Sequence, residues 1–239
     1  MKPKILAVVP ARGGSKGVPR KNVRVVAGKP LIAYTIETAL AAGDLFFDAV
    51  VSTDDPEIAE IARAFGASVP FLRPAELAGD RVATVPVLQH AVETMERFHG
   101  VTFEWVCLLQ PTEPFRTVDD LVGAVRLAEL GDCDSVISVV QVFAHHPILM
   151  KKIVDDRLQP YCVEEVEGTR RQDYFPPAYM RNGAIYLTKR LTLMEQNSIW
   201  GGSIRPLVMP PERSVSVDDE RDLKLVEILM LERRGESSA

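Results

Sequence analysis

The chain has 239 residues, enough to bury one substantial core with a small appendage. At 46% hydrophobic and 26% charged it has the make-up of an ordinary globular protein, and its formal charge of −5 argues against a general nucleic-acid or membrane-binding surface. Cys107, Cys133 and Cys162 show no paired spacing, which excludes a disulfide framework or zinc site and fits a reducing compartment. Lys2, Lys4 and the apolar residues 5–9 only superficially resemble a signal peptide: the run is too short and a cationic loop follows it. No stretch has the length needed to span a bilayer, so the expected location is cytoplasmic.

Ile5, Leu6, Ala7, Val8 and Val9 predict a buried first strand. It runs into Pro10-Ala11-Arg12-Gly13-Gly14-Ser15-Lys16-Gly17-Val18-Pro19-Arg20-Lys21-Asn22, and a helix-like segment starts near Pro30. A loop between a buried strand and a helix exposes backbone N–H groups, and glycines let phosphate oxygens approach them. Arg12, Lys16, Arg20, Lys21 and Arg24 add charge of one sign, with no Asp or Glu before Glu37. In an acidic protein this points to a localised polyanion site, such as one for a nucleoside triphosphate. The loop is not a P-loop, because Gly17 follows Lys16 and the GxxxxGK[ST] spacing is missing; nor does it carry the G-x-G-x-x-G dinucleotide spacing. The alternative reading is a solvated basic turn.

Ile32, Ile36, Ala39 and Leu40 outline a helix face that ends at Gly43, and Ala49 to Ser52 form a short second strand. Asp55 then caps a helix with Pro56 at its first position. Ile58, Ile61, Ala62 and Phe65 recur at helical spacing, and Gly66 closes the helix. Residues 105–109 predict a central buried strand running into Gln110-Pro111-Thr112. Thr117 caps the following helix with Asp120 three residues on; Leu121, Ala124, Val125 and Ala128 form its face, and Gly131 ends it. Residues 135–140 are another strand. From Gln141 to Pro177 the periodicity is irregular, and it resumes at Ala184, Ile185, Tyr186 and Leu187 before a final helix with Leu223, Val226 and Met230 on one face. Alternating strands and helices mark an α/β fold.

The loop at 11–22, Leu108-Leu109-Gln110-Pro111-Thr112, Arg171-Gln172-Asp173 and Asn182-Gly183-Ala184-Ile185-Tyr186 occur in that order. Together with residues 72–78 and 218–223 they resemble the acylneuraminate cytidylyltransferases, or CMP-sialic acid synthetases, over nearly the whole chain. The resemblance implies a Rossmann-like three-layer nucleotidyltransferase fold with a mainly parallel central sheet and a projecting dimerisation element. Residues 1–140 and 181–239 would form the core and residues 141–180 the excursion that builds a homodimer. It also implies a reaction: a nine-carbon 2-keto sugar acid of sialic, legionaminic or pseudaminic type attacks the α-phosphorus of CTP through its anomeric hydroxyl, releasing pyrophosphate with the help of Mg²⁺.

Site residues follow from the same resemblance. Arg12, Gly14, Ser15, Lys16, Lys21 and Asn22 would bind the nucleotide, with Arg12 and Lys21 catalytic and Lys21 stabilising the departing pyrophosphate; the alternative for Lys21 is a solvated surface lysine. Arg73 and, in the loop after it, Thr84 would lie near the nucleotide, with Asp80 a further candidate. Gln110, at the end of the central strand, would contact the sugar. Arg171 would hold the sugar carboxylate through its planar fork, the alternative being an ion pair with Glu165 or Glu167. Tyr186 would line the sugar pocket, or simply be core. His145 and His146 point opposite ways if extended and are left out of the catalytic set.

For the metal, family members place two aspartates one residue apart ahead of the last helix. Here Ser214-Val215-Ser216-Val217-Asp218 keeps only the second, so Asp218 is the expected ligand; its alternative role is to complement a helix dipole. Glu113 stands where a small hydroxyl residue is common in the family and would supply the missing charge if it faces the site. No dedicated base stands out, so metal-assisted attack with proton loss to water is expected. The competing readings are an eight-carbon keto acid as substrate, or a binding protein that has lost catalysis through Ser216.

Overall fold

The computed structural model describes residues 4–15 and 17–236; Lys16, one of the expected nucleotide ligands, lies outside them. The first strand, β1 (Ile5–Pro10), sends Ile5, Ala7 and Val9 into one apolar cluster and Leu6 and Val8 into another. A strand buried on both faces reads as an unbroken apolar run, as this one does. After the loop, a short ladder of β2 (Val25–Val26) and β3 (Lys29–Pro30) leads into α1 (Leu31–Ala41). Then come β4 (Asp48–Ser52), α2 (Pro56–Ala64), α3 (Thr84–His99), β5 (Trp105–Leu108) and α4 (Val118–Glu129). The second half contains β6 (Ser135–Val142), β7 (Lys151–Val154), β8 (Arg157–Pro160), β9 (Ala178–Lys189), α5 (Arg190–Met194), β10 (Ile204–Met209) and α6 (Glu220–Glu236).

Six strands form one sheet in the order β10-β6-β9-β5-β1-β4, parallel throughout except for the two pairings of β9. One face packs against α1, α2 and α4 through Ile32, Ile36, Ile58, Ala62, Leu121 and Ala124. The other packs against α3 and α5 through Leu88, Ala91, Val92, Met95 and Leu193. The result is a three-layer Rossmann-like fold. A third cluster joins Val18 of the loop, Leu31, Phe115 and Val217 to Leu223, Val226 and Met230 of α6.

The cap residues act as their chemistry dictates. Asp55 accepts from the N–H groups of Glu57 and Ile58, and Thr117 with Asp120 forms a reciprocal capping box. Leu40 departs from its expected place on the buried face of α1: it is 43% exposed, while Ile32, Ile36 and Ala39 are buried. Two elements carried weak local signals. In α3, Val87, Leu88, Ala91, Val92 and Met95 recur with helical spacing, but Pro86 near the start reads as a loop; in the first turn its missing N–H has no intrahelical partner to lose. In β10, Pro206 argues against a strand, yet β10 is the sheet's edge, where a missing donor is tolerated.

Residues 141–180 leave the layered core. The outer ends of β6 and β9 stay paired, Gln141 with Tyr179 and Val142 with Ala178, and between them β7 and β8 form a separate hairpin. Asp155 and Asp156 both have positive φ (48° and 58°), the backbone of a tight two-residue turn that matches strand twist. Gly183, at φ 79°, marks the point where β9 enters the core.

Asp120 joins capping to tertiary structure. Burial alone would raise its carboxyl, but a two-pronged contact from Arg213 (2.8 and 3.1 Å) and the Thr117 donors outweigh burial and hold it below the ordinary carboxylate range. A depressed carboxyl stabilises the fold above its unfolded pKa, and that contribution fades as pH falls through the folded value. Asp120→Ala is therefore expected to lose about 2–3 kcal/mol at pH 7. The deficit should shrink well below pH 4, as read by denaturant unfolding at both pH values.

Candidate active site

Strand order places a crevice where the connections diverge. From β1 the chain crosses through α1 to β4 on one side, and the later β5 lies on the other, so β1 is the switch point of the sheet. Ligands of open α/β sheets bind beyond the carboxyl ends of strands at such a point. A cleft of about 500 Å³ opens there, lined among others by Pro10, Arg12, Lys21, Arg73, Thr84, Gln110 and Asp218. That volume suits a nucleotide-sized ligand.

The loop after β1 is pinned, not solvated. Val18 is fully buried, Ala11 N–H donates to Ser52 O at 2.9 Å, and Gly13 N–H donates to Asp54 Oδ1 at 3.0 Å. Asn22 Nδ2 donates to Arg12 O at 3.1 Å, so Asn22 ties the two ends of the loop together. Among the described residues, the cations of this run meet carboxylates brought in from elsewhere in the chain. Arg20 pairs with Asp55 and Glu57, Arg24 with Glu220 at 3.3 Å, and Arg12 with Asp80 at 3.0 Å. Lys21 instead donates to the backbone oxygen of Val217 at 2.7 Å and stands 3.9 Å from Asp218 Oδ1.

Arg73 is 6% exposed yet lines the cleft. Its Nε donates to Ser52 Oγ at 3.1 Å and its Nη2 to Ser52 O, which fixes the guanidinium at the end of β4. Burial, with the nearby Arg12 adding to it, pushes its pKa down to about 10, so it stays cationic at neutral pH. Thr84 is not in a loop as expected: it is the first residue of α3, a sixteen-residue helix whose N-terminal N–H groups and positive dipole end border the cleft.

The opposite wall is Gln110, Pro111 and Thr112. The buried Arg116 holds it, donating to Gln110 O (3.0 Å), Ala184 O (2.6 Å) and Thr35 Oγ1 (3.3 Å). Sequence reasoning passed over Arg116, and nothing local marks it: its partners are three neutral oxygens from three different segments. Thr112 O accepts from Val217 N–H at 2.9 Å, so the segment leading to α6 lies along this wall. Gly183 allows the close approach, since a side chain there would meet Gln110 Oε1 at 2.6 Å.

Nine expected residues therefore share one cleft: Arg12, Ser15, Lys21, Asn22, Arg73, Asp80, Thr84, Gln110 and Asp218. Gly14 sits beside them in the loop with open space at its α-carbon, and Lys16 falls outside the described residues. Arg171 and Tyr186 are placed elsewhere. Arg171 is exposed on the excursion, stacked over Phe143 at 5.2 Å, and pairs with neither Glu165 nor Glu167; Glu165 instead meets Lys151 at 2.8 Å. Tyr186 is 9% exposed and packs into the cluster beneath α3, because the alternation of β9 turns it to that face. His146 is likewise buried, accepting from Ile148 N–H and bonded through Nε2 to Pro176 O at 2.9 Å. Among the described residues no cluster of three or more His, Cys, Asp or Glu side chains is placed to hold a metal ion alone.

Comparison with known proteins is consistent with this geometry. The profile of the family described as Cytidylyltransferase matches residues 6–205. A protein of Legionella pneumophila named CMP-N,N'-diacetyllegionaminic acid synthase is 36% identical, over 95% of this chain and 96% of its own. The pseudaminic acid cytidylyltransferase of Campylobacter jejuni is 32% identical, over 95% of this chain and 96% of its own. The solved structure of CMP:2-keto-3-deoxy-manno-octonic acid synthetase complexed with CTP is similar in fold, with a TM-score of 0.70 at 20% identity, over 96% of this chain and 99% of that one.

Loop position sets the geometry of the cleft, and Gly17 sets loop position: a β-carbon there would overlap the backbone oxygen of Asp218. Gly17→Ala should push the loop off that segment and weaken CTP binding by about 10²-fold with the unfolding temperature little changed. Isothermal titration alongside thermal melts checks this; wild-type affinity would show that the contact is incidental.

Proposed function

Because the chain belongs to the cytidylyltransferase family, we propose that it transfers CMP from CTP to the anomeric hydroxyl of a nine-carbon 2-keto sugar acid of sialic, legionaminic or pseudaminic type. One observation carries the reading at the level of residues: Lys21, Arg73, Gln110 and Asp218, from four distant segments, line a single cleft at the switch point of the sheet. The sugar oxygen attacks the α-phosphorus, the bond to the β-phosphate oxygen breaks, and pyrophosphate leaves. The hydroxyl proton passes to solvent.

Phosphoryl transfer of this kind asks a protein mainly to position its reactants and to neutralise charge. Lys21, oriented by Val217 O, would meet the developing charge on pyrophosphate. Arg12, with Gly14, Ser15, Lys16 and Asn22 of the same loop, would cradle the triphosphate, and Arg73 and Thr84 would border the nucleotide from β4 and α3. Gln110 would meet the sugar. Asp218 would hold magnesium together with triphosphate oxygens; its carboxylate is 81% exposed at the cleft, and hard oxygen donors suit that ion. Magnesium, when bound, spreads the charge of the phosphates and acidifies a nearby hydroxyl.

A homodimer belongs to the same proposal. Residues 141–180 expose Ile153, Leu158 and Val166 at 74% each and Phe175 at 78%, more apolar surface than an isolated element keeps in water. Arg171 shares this element, so the carboxylate role expected for it requires that the element reach the cleft of a second copy. No helix among the described residues is long and apolar enough to cross a membrane. A reaction that consumes CTP supports the cytoplasm as its place of action.

Pyrophosphate release from CTP across a panel of nine- and eight-carbon keto acids tests the reaction. Turnover should appear with a nine-carbon acid and should be weak or absent with the eight-carbon one. CTP binding without turnover on any acid would leave the alternative of a catalytically silent homologue. Lys21→Met should lower kcat by about 10²–10³-fold while costing only about 1 kcal/mol of stability through its lost bond to Val217 O. Ile153→Glu combined with Leu158→Glu should yield monomers by sedimentation and remove turnover; active monomers would sink the dimer-dependent role of Arg171.

A further inference from the structure

One buried acid has no assigned task. Glu113 follows the cleft wall in the chain and is 2% exposed. Its Oε1 accepts from Thr112 Oγ1, at 3.4 Å, and the Ser216 hydroxyl also acts on the carboxyl, while its Oε2, wholly buried, has no hydrogen-bond partner. Arg116 is nearby, yet its three nitrogens are engaged with Ala184 O, Thr35 Oγ1 and Gln110 O, none of them charged. No Lys, Arg or His among the described residues forms an ion pair with Glu113. A buried carboxylate left in this condition costs several kcal/mol, so such groups normally find a counter-charge.

The surroundings say which charge would suit it. Around Gly183, Gln110 Oε1 and Glu113 Oε1 both lie within 3.1 Å of where a β-carbon would stand. Thr112 O holds Val217 N–H at 2.9 Å, which lays residues 216–218 beside residues 112–113. Burial is the main influence raising the Glu113 carboxyl, to about 7; the Ser216 hydroxyl and Arg116 oppose it, and Asp218 adds to it. The immediate surroundings of Glu113 are thus rich in oxygen, with Arg116 as the nearby positive charge.

We propose that Glu113 is the second carboxylate of the divalent-cation site, acting with Asp218 across Ser216, which itself brings only a neutral hydroxyl. The inference rests on reading the cleft as a site for CTP with a cation. Two carboxylates with triphosphate oxygens and water give a cation of this kind a sufficient set of hard donors.

Binding of Mn²⁺ in the presence of CTP, followed by electron paramagnetic resonance, separates this inference from the reading beneath it. If the native protein does not bind Mn²⁺ with CTP, the reading of the cleft itself fails. If it does, Glu113→Gln should weaken Mn²⁺ by about tenfold or more while melting no lower than the native protein without metal, because an uncompensated buried charge has been removed. Adding Ser216→Asp to Glu113→Gln should restore the affinity. Unchanged Mn²⁺ affinity in Glu113→Gln, or a lower melting temperature without metal, would assign Glu113 a merely structural role and overturn the proposal. Should Glu113→Gln not fold, Ser216→Asp alone decides: a third carboxylate should tighten Mn²⁺ if the three converge, and unchanged affinity would overturn the proposal.

Discussion

A lysine ammonium on a backbone oxygen holds the site together. Lys21 Nζ reaches Val217 O at 2.7 Å, and Val217 N–H reaches Thr112 O at 2.9 Å. One residue, buried to 0% exposure, therefore joins the loop after β1, the wall after β5 and the segment that leads into α6. Gly17 rests against Asp218 O, and Val18 packs in the same cluster as Val217. Each hydrogen bond alone is worth only about 1 kcal/mol. Their convergence on a buried residue orders the Lys21 side chain and places the backbone of Asp218 at the cleft.

The electrostatics follow from that frame. A cationic loop left free would repel itself and stay solvated. Here the cations are divided by partner: Arg20 and Arg24 are bound to carboxylates away from the cleft lining and fasten the loop, while Lys21 points at a carbonyl and remains close to the ligand volume. A carbonyl orients an ammonium without cancelling its charge, and Asp218, 3.9 Å away, offsets it less than a carboxylate in direct contact would. Arg73 achieves a similar result at the end of β4, where two oxygens of Ser52 hold it and burial lowers its pKa only to about 10.

On the opposite wall the logic reverses. Arg116 spends its donors on neutral oxygens and leaves Glu113 without a close counter-ion. A native fold keeps such an imbalance where a ligand completes it or where chemistry needs it. Glu113 and Ser216 are 103 positions apart in the numbering, 216 less 113, but their segments are fastened side by side through Thr112 and Val217.

Much of the fold was legible because its signals are local. An apolar run declares β1, Asp55 with Pro56 starts α2, Thr117 with Asp120 starts α4, and each of these operates within one turn or one strand. The family motifs likewise brought the loop, Gln110 and Asp218 into view. What sequence alone could not determine is which charges cancel and which face a side chain takes. The contact of Lys21 with Val217 spans 196 positions, Tyr186 is turned to the core by the alternation of β9, and Arg171 is carried off by an excursion whose direction depends on how β6 and β9 extend. Short-range patterns record hydrophobic period and capping chemistry. The sheet's strand order decides which distant groups meet, and so only the tertiary structure distinguishes a neutralised cation from one left facing the cleft.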